Sequence, residues 1–436
     1  MTTVVLGAGL AGLAAAERLR ENGQPVLVLE ARSQIGGHAS SINRAGFTFD
    51  EGPHVLFSQD EEVVAALTRY TGAEETRDAR ILNFFEGGWI PHPVQCNLVA
   101  VPPEIAAACV LDFLDAPAID APQNYADWCY AALGRRISET FTFPYTRKYW
   151  GTEPQDLSTE WVGERVYRPS VEEVVKGALV ARTASAQHYI TQFRYPSFDG
   201  FGAFARSFEL AGVLELQSTV ASIDHQRNTI TLSTGRTLRY DSLISTMPLP
   251  ALVDIIDDVP HVVTAAARRL IATSVVLVDL SLRTPPRTDA HWFYAYDKDL
   301  PFARCSMPHL LSPSTVPQGC GSIQAEVYYS SSKPLVGSLE DLRTSVINGL
   351  IATGLITAHD ILAADVRVVK FANVIFDHHR RESVEIVRNW LGGVAGVLLA
   401  GRYGLWEYLW SDGAVRSGWR ASDAVLGGTT LAEITT

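Results

Sequence analysis

Cysteine is scarce in this chain. Cys96, Cys109, Cys129, Cys305 and Cys320 are the only five in 436 residues, with no C-x-x-C pair and no histidine at metal-ligand spacing. An odd, dispersed set excludes a disulfide-stapled scaffold and a cysteine-based metal site. It points to a reducing compartment, so the expectation is a cytoplasmic protein without metal. Positive charge is also short: 36 Lys and Arg against 48 Asp and Glu leave a net charge of −12. That balance argues against a nucleic-acid surface and against attraction to anionic membranes, and an anionic substrate would need local arginines working against the overall field. Long apolar runs are missing too. Residues 394–400 are far short of the roughly 20 needed to span a bilayer. No basic stretch precedes the first apolar run, which reads as a strand and not as a secretory signal. No internal repeat or low-complexity tract occurs. The rest is ordinary globular composition, 47% apolar and 19% charged, long enough for roughly two to three domain-sized units.

The chain opens with Thr3-Val4-Val5-Leu6, then Gly7-Ala8-Gly9-Leu10-Ala11-Gly12, an amphipathic stretch to Asn22, Gly23, and a second apolar run 25–29 closed by Glu30. This is a strand, a glycine turn, a helix and a strand in register. Gly7 permits the tight turn, Gly9 lets backbone approach a pyrophosphate, and Gly12 lets helix and strand pack closely. The helix N-terminus offers unpaired N–H groups to phosphate. Glu30 is placed to accept from ribose hydroxyls and disfavours a 2′-phosphate, so NADP is not the tightly held cofactor. Arg32, Gly36, Gly37 and His38 follow. A basic residue and paired glycines just after the acid line the pyrophosphate and ribose in two-dinucleotide flavoproteins, which tips the choice from NAD to FAD.

Beyond this, residues 61–70 and most of 102–180 read as helical, with breaks at 115–117 and at Phe143-Pro144. Residues 214–220, 229–232, 237–240 and 243–244 read as short strands, with Thr234-Gly235 as a hairpin. Residues 274–282 and 322–329 read as longer strands joined by an aromatic-rich loop. Residues 396–400 read as a buried strand leading to a glycine turn and a helix over 412–426. The expected architecture is α/β: a Rossmann-type FAD-binding domain (1–58, 192–248 and 390–436), a mainly helical insertion (59–191), and a second, mixed-sheet substrate domain (249–389).

Six patches, in order, resemble UDP-galactopyranose mutases and their relatives, a flavoprotein branch that includes protoporphyrinogen and amine oxidases. They are Phe49-Asp50-Glu51-Gly52-Pro53-His54-Val55-Leu56-Phe57; Ile90-Pro91-His92-Pro93-Val94-Gln95-Cys96-Asn97; Tyr145-Thr146-Arg147-Lys148-Tyr149-Trp150-Gly151; Trp161-Val162-Gly163-Glu164-Arg165-Val166; Phe302-Ala303-Arg304 with Ser312-Pro313; and Gly401-Arg402-Tyr403-Gly404-Leu405-Trp406-Glu407-Tyr408. The resemblance implies that reduced FAD attacks an anomeric carbon through N5 and expels a nucleotide diphosphate. The sugar ring then opens and recloses at the other size, with no net redox change.

The same resemblance assigns residues. Arg165 and Arg304 match the arginines at the diphosphate, where a planar, permanently charged fork suits phosphate oxygens; Arg168, on the same stretch, is an alternative to Arg165. Tyr408 matches a tyrosine whose hydroxyl reaches the diphosphate, and Arg402 an arginine beside the flavin. Gln95 matches a base-contacting glutamine, and Trp161 a wall of the substrate pocket; Trp89, Trp150, Trp292, Tyr294 and Tyr296 are further aromatics available for such a wall. His54 sits where the chain returns to flavin N5 and, as an imidazole titrating near neutrality, is also placed to sense flavin redox state. His378-His379 reads as a polar loop end.

The chain departs from the family at His92 and Val94, where characterised mutases stack uracil on aromatics, and at Glu407 and Trp410 near the expected sugar end. Base and sugar are therefore open. The expected function is a pyranose–furanose mutase on a nucleotide-diphosphate sugar, active with reduced FAD, with NAD(P)H a possible external reductant. The alternative is an FAD-dependent oxidoreductase (amine oxidase, desaturase or dehydrogenase) on the same scaffold. Partners are a nucleotide-sugar substrate, no nucleic acid and no membrane span, with oligomeric state open.

Overall fold

The computed structural model describes residues 2–73, 76–180, 190–208, 210–394 and 397–427. Gly396, expected to open the last strand, and the expected domain edges at 181–191 fall wholly or partly outside these residues. A five-stranded parallel sheet runs in the order Val397–Leu399, Ser242–Ser245, Thr3–Leu6, Val26–Leu29, Leu214–Glu215. Three of its strands, Thr3–Leu6, Val26–Leu29 and Val397–Leu399, are near-continuous apolar runs because both faces are covered. Helix Leu10–Glu21 lies against helix Ser411–Gly427 on one face, so segments about 400 residues apart build one layer. The contact is backbone to backbone. A Cβ on Gly12 would stand 2.0 Å from the Gly7 carbonyl oxygen, and one on Gly418 2.1 Å from the Ala11 carbonyl oxygen.

Residues 214–220, read as one strand, are two elements. Leu214–Glu215 closes the parallel sheet, Gln217 adopts a left-handed φ of 55°, and Val220–Asp224 starts an antiparallel sheet with Thr229–Leu232 and Thr237–Arg239. The helical region holds Pro103–Leu114, Tyr125–Ile137, Phe143–Tyr149 and Val171–Leu179. The first ends just before residues 115–117. The break expected at Phe143-Pro144 does not occur: a π-turn, Ser138–Thr142, runs directly into Phe143–Tyr149. Pro144 falls in the first turn of that helix, where its missing N–H is tolerated. Tyr145 and Tyr149, four residues apart, therefore share one helix face, their rings stacked at 5.5 Å.

The second sheet has seven strands, in the order Ile361–Val374, Ala272–Leu282, Gly321–Tyr329, Arg304–Ser306, Trp292–Ala295, Ile81–Phe85, Gly88–Pro91. Only the pairing of Trp292–Ala295 with Ile81–Phe85 is parallel. Two strands thus come from the stretch read as helical insertion, because their partner lies about 200 residues away and local pattern does not report it. Conversely, helices Leu249–Asp254 and His261–Arg269 turn Val253, Val263 and Ala266 into the core of the parallel-sheet domain, beside Val384 and Val387 of helix Arg380–Gly392. The sheet unit is therefore 272–374 plus 81–91, in place of 249–389. Among the described residues, no helix is long and apolar enough to cross a membrane.

Candidate active site

A cavity of about 830 Å³ lies between the two sheets, at the large end of the range for small-molecule sites. One end is the nucleotide turn. Gly7, Gly9, Glu30, Arg32, Gly36, Gly37 and His38 line it, while Gly12 lies behind as the packing contact. The helix starting at Leu10 has no side-chain cap at Gly9, so its first N–H groups face this space. Both Glu30 oxygens are held by backbone donors: Ala8 N–H at 2.7 Å and Arg32 N–H at 2.8 Å. The carboxylate is thus fixed at the cavity wall with lone pairs left for hydroxyl donors. An uncapped helix end beside a fixed carboxylate fits the pyrophosphate and ribose of FAD.

Arg32 and His38 both bind Glu51, the residue just before Gly52. Arg32 donates at 2.8 and 3.2 Å, and His38 Nδ1 lies 2.6 Å from Oε1. Burial by itself would raise the Glu51 carboxyl, but His38 and Arg32 outweigh it and bring it down to about 2. The preceding residue anchors this turn to the second sheet. The Asp50 carbonyl oxygen accepts from Gln324 at 2.9 Å and Arg367 at 2.7 Å, and its carboxyl from Ser41, Tyr195 and the Phe201 N–H. Gly52-Pro53-His54 therefore enters the cavity from a fixed base.

His54 Nδ1 lies 2.8 Å from the Gly52 carbonyl oxygen, which can only accept, so Nδ1 carries the proton and Nε2 is an acceptor. Burial, with His38, Arg402 and Arg304 nearby, pushes the imidazole down to about 4. This corrects the expectation of a redox sensor titrating near neutrality: the ring is neutral throughout that range. The shift has a consequence for stability. A histidine lowered from 6.5 to about 4 in the folded chain contributes stability that is full above pH 6.5 and lost as pH falls towards 4. At about 1.4 kcal/mol per unit, the loss is about 3 kcal/mol. Asn keeps a donor for Gly52 but does not titrate. His54→Asn should therefore lose less stability than the parent between pH 7 and pH 4, measured as the difference in urea unfolding. Parallel losses would remove His54 as the cause.

The other end of the cavity holds a cationic cluster. Arg165 and Arg402 lie on the Tyr408 ring, their guanidinium carbons 4.7 and 4.6 Å from its centre, and Arg165 also lies 4.5 Å from the Trp410 ring. Arg165 donates to the Tyr408 carbonyl at 2.6 Å, and Arg402 to the Leu409 carbonyl at 2.8 Å. Arg304 forms a forked ion pair with Glu326, one arm at 2.9 Å, and Tyr328 donates to the same carboxylate at 2.7 Å. The Tyr408 and Tyr149 hydroxyls are 3.1 Å apart. A second pocket of about 160 Å³ adjoins, lined by His92, Val94, Gln95, Trp161 and Arg165 and sharing Tyr149, Tyr294, Arg304 and Tyr408 with the first. Gln95 donates to the Tyr167 carbonyl at 3.0 Å, and the Trp161 indole N–H is buried without an acceptor among the described residues. Of the further aromatics, Trp150, Tyr294 and Tyr296 line the second pocket and Trp292 the first, whereas Trp89 packs on Phe84 and Phe293 in the core.

Two residues named from the sequence are elsewhere. Arg168 is exposed and lines neither cavity. Glu407 lines neither and pairs with Arg388 at 2.8 Å. Glu51, Glu326, Tyr328 and Asn373 had not been assigned. One signal for Glu326 was present: an acid inside the apolar strand Gly321–Tyr329 needs a buried partner.

The fold and this cavity are like those of flavoproteins, the FAD-dependent enzymes of the amine oxidase superfamily. Residues 5–71 match the NAD(P)-binding Rossmann-like domain family, and residues 133–331 the flavin containing amine oxidoreductase family. Within that superfamily, the chain superposes on the crystal structure of reduced UDP-galactopyranose mutase with a TM-score of 0.93 and 25% identity, over 98% of this chain and 94% of that one. Cyclohexylamine oxidase from Brevibacterium oxydans IH-35A shares the fold at a TM-score of 0.69 and 16% identity, over 98% and 99% of the two chains. The 4,4'-diapophytoene desaturase (4,4'-diaponeurosporene-forming) of Staphylococcus haemolyticus (strain JCSC1435) is 45% identical over 60 residues, which is 14% of this chain and 12% of that protein.

Proposed function

We propose that this enzyme interconverts pyranose and furanose forms of a nucleotide-diphosphate sugar. The observation that carries the reading is the convergence of Arg165, Arg304 and Arg402 around Tyr408, where the flavin cavity meets the second pocket. Glu326 offsets the charge of Arg304, and in a chain of net charge −12 the two remaining guanidiniums at this junction still select an anion. Reduced FAD, when bound, would supply a nucleophilic N5 for the anomeric carbon with no net redox change, and NAD(P)H would serve as the external reductant.

The chain's own residues do the rest. Arg165 and Arg304 hold the diphosphate and stabilise its charge as it leaves, and Tyr408 adds a hydroxyl donor. Gln95 and Trp161 hold the nucleoside in the second pocket. His54, neutral and with Nε2 as acceptor, lines the flavin side without adding charge there. The alternative, oxidation of an amine, would bring a cationic substrate against the same guanidiniums; the desaturase similarity covers too little of the chain to favour an alkene.

The test is anaerobic. The protein is reduced with dithionite or NAD(P)H, mixed with UDP-galactofuranose and other nucleotide sugars, and ring isomers are separated by chromatography. Turnover only in the reduced state, many sugars per electron pair, is expected. No ring isomer from any nucleotide sugar with the reduced protein would overturn the reading, as would, in a separate aerobic assay with amine or alkene substrates, oxygen uptake with an oxidised amine or a desaturated product.

A further inference from the structure

Asn373 is a polar side chain in the flavin cavity with no task in the mechanism above. It is 2% exposed, near the end of strand Ile361–Val374. Its Oδ1 lies 3.4 Å from the Tyr149 hydroxyl, and its backbone N–H donates to Thr273 Oγ1 at 3.0 Å. Its Nδ2 is buried with no acceptor among the described residues. Proteins leave few such donors unpaired, because desolvating one without an acceptor is costly.

The backbone around it departs from regular strand geometry. Thr273 pairs with Asn373 but Val275 pairs with Val369, so the longer strand carries two extra residues, a bulge. Phe371, inside it, has a φ of 57°, a region non-glycine residues rarely enter. Residues 368–373 all line the cavity. A bulge at a sheet's edge of function re-aims side chains, and strain of this kind persists where surrounding structure holds it. The bond to Tyr149 turns Oδ1 towards that hydroxyl and leaves Nδ2 as the donor available to a ligand. Tyr149 also touches Tyr408 and lines both cavities, which puts the amide beside their junction.

We propose that Asn373 is a ligand-contacting residue whose Nδ2 donates to a neutral oxygen of the molecule held at this junction, a flavin carbonyl or a sugar hydroxyl. The guanidiniums nearby serve the anionic oxygens; an uncharged amide suits an uncharged acceptor. The sugar arm rests on the nucleotide-sugar reading, and the flavin arm does not.

The test compares the holoenzyme with Asn373→Ala and with Asn373→Asp, which keeps the shape and the acceptor for Tyr149 but loses the donor. Three quantities are measured: FAD retained per chain, the flavin reduction midpoint, and affinity for UDP and UDP-galactopyranose. Loss of FAD affinity or a shifted midpoint in both variants, with nucleotide affinities unchanged, identifies a flavin carbonyl. Unchanged flavin with UDP-galactopyranose affinity down on the order of tenfold and UDP affinity unchanged identifies a sugar hydroxyl. No change in any of the three overturns the inference. If the parent enzyme binds neither UDP nor UDP-galactopyranose, the nucleotide-sugar reading fails, and unchanged flavin properties then overturn the role of Asn373 as well.

Discussion

Arg304→Ala is expected to weaken nucleoside diphosphate binding on the order of 100-fold while FAD remains bound. The binding loss follows from removing one arm of a charged clamp from a largely buried site, where truncating a charge partner costs about 2–5 kcal/mol. The cofactor is spared because its nucleotide end is held at Gly9, Glu30 and Arg32, at the opposite end of the cavity. The same variant should also be less stable. Arg304 is the ion-pair partner of Glu326, whose side chain is 2% exposed, and its removal leaves that carboxylate, among the described residues, with the Tyr328 hydroxyl. Breaking a buried pair from one side costs about 3–5 kcal/mol. The double variant Arg304→Ala/Glu326→Gln separates the effects: melting temperature should recover, because no buried charge is orphaned, whereas UDP affinity measured by calorimetry should not. Unchanged affinity for every diphosphate tested would remove Arg304 from the clamp.

That pair also marks where sequence reasoning stopped. Arg304 was legible through the Phe302-Ala303-Arg304 patch, but its carboxylate partner lies on the neighbouring strand, opposite it in register. Register is a property of the sheet and not of either segment. Glu51 was missed differently. It was read as part of a run, and only the fold brings Arg32 and His38 onto its two oxygens. The parallel sheet was legible because each strand is a short apolar run bounded by glycine or an acid, and because strand, turn and helix follow within 30 residues. Strand Ile81–Phe85 was not, because its partner Trp292–Ala295 is remote. The resemblance left Arg168 as an alternative to Arg165, and only the fold tells them apart, with Arg168 exposed and Arg165 lining the second pocket. His54 was placed correctly in the chain but not in its protonation, since burial sets that and no local pattern reports burial.

Gly418→Ala, at the far end of the chain from the nucleotide turn, is expected to cost FAD retention as heavily as Gly12→Ala. Both positions face backbone, not side chains. The added Cβ would lie 2.1 Å from the Ala11 carbonyl oxygen in one case and 2.0 Å from the Gly7 carbonyl oxygen in the other. A side chain can swing away from such a clash, but the Ala11 carbonyl cannot move without moving its helix, nor the Gly7 carbonyl without moving the nucleotide turn. Core overpacking by a methyl group costs about 1–3 kcal/mol where neighbours adjust, and more where they cannot. Here the element displaced is Leu10–Glu21, whose uncapped first turn faces the expected pyrophosphate, so the strain falls on the cofactor site itself. The expected result is a purified protein with little bound flavin, recovered only in part by excess FAD, with the absorbance ratio of flavin to protein as the readout. Gly413→Ala is the control on the same helix. Its Cβ would meet only the Leu409 side chain, at 3.3 Å, a contact that a small side-chain shift relieves. If Gly418→Ala retained flavin as Gly413→Ala does, the two helices would have to slide past each other at little cost. The close packing of Gly418 on Ala11 would then not be what fixes the nucleotide turn.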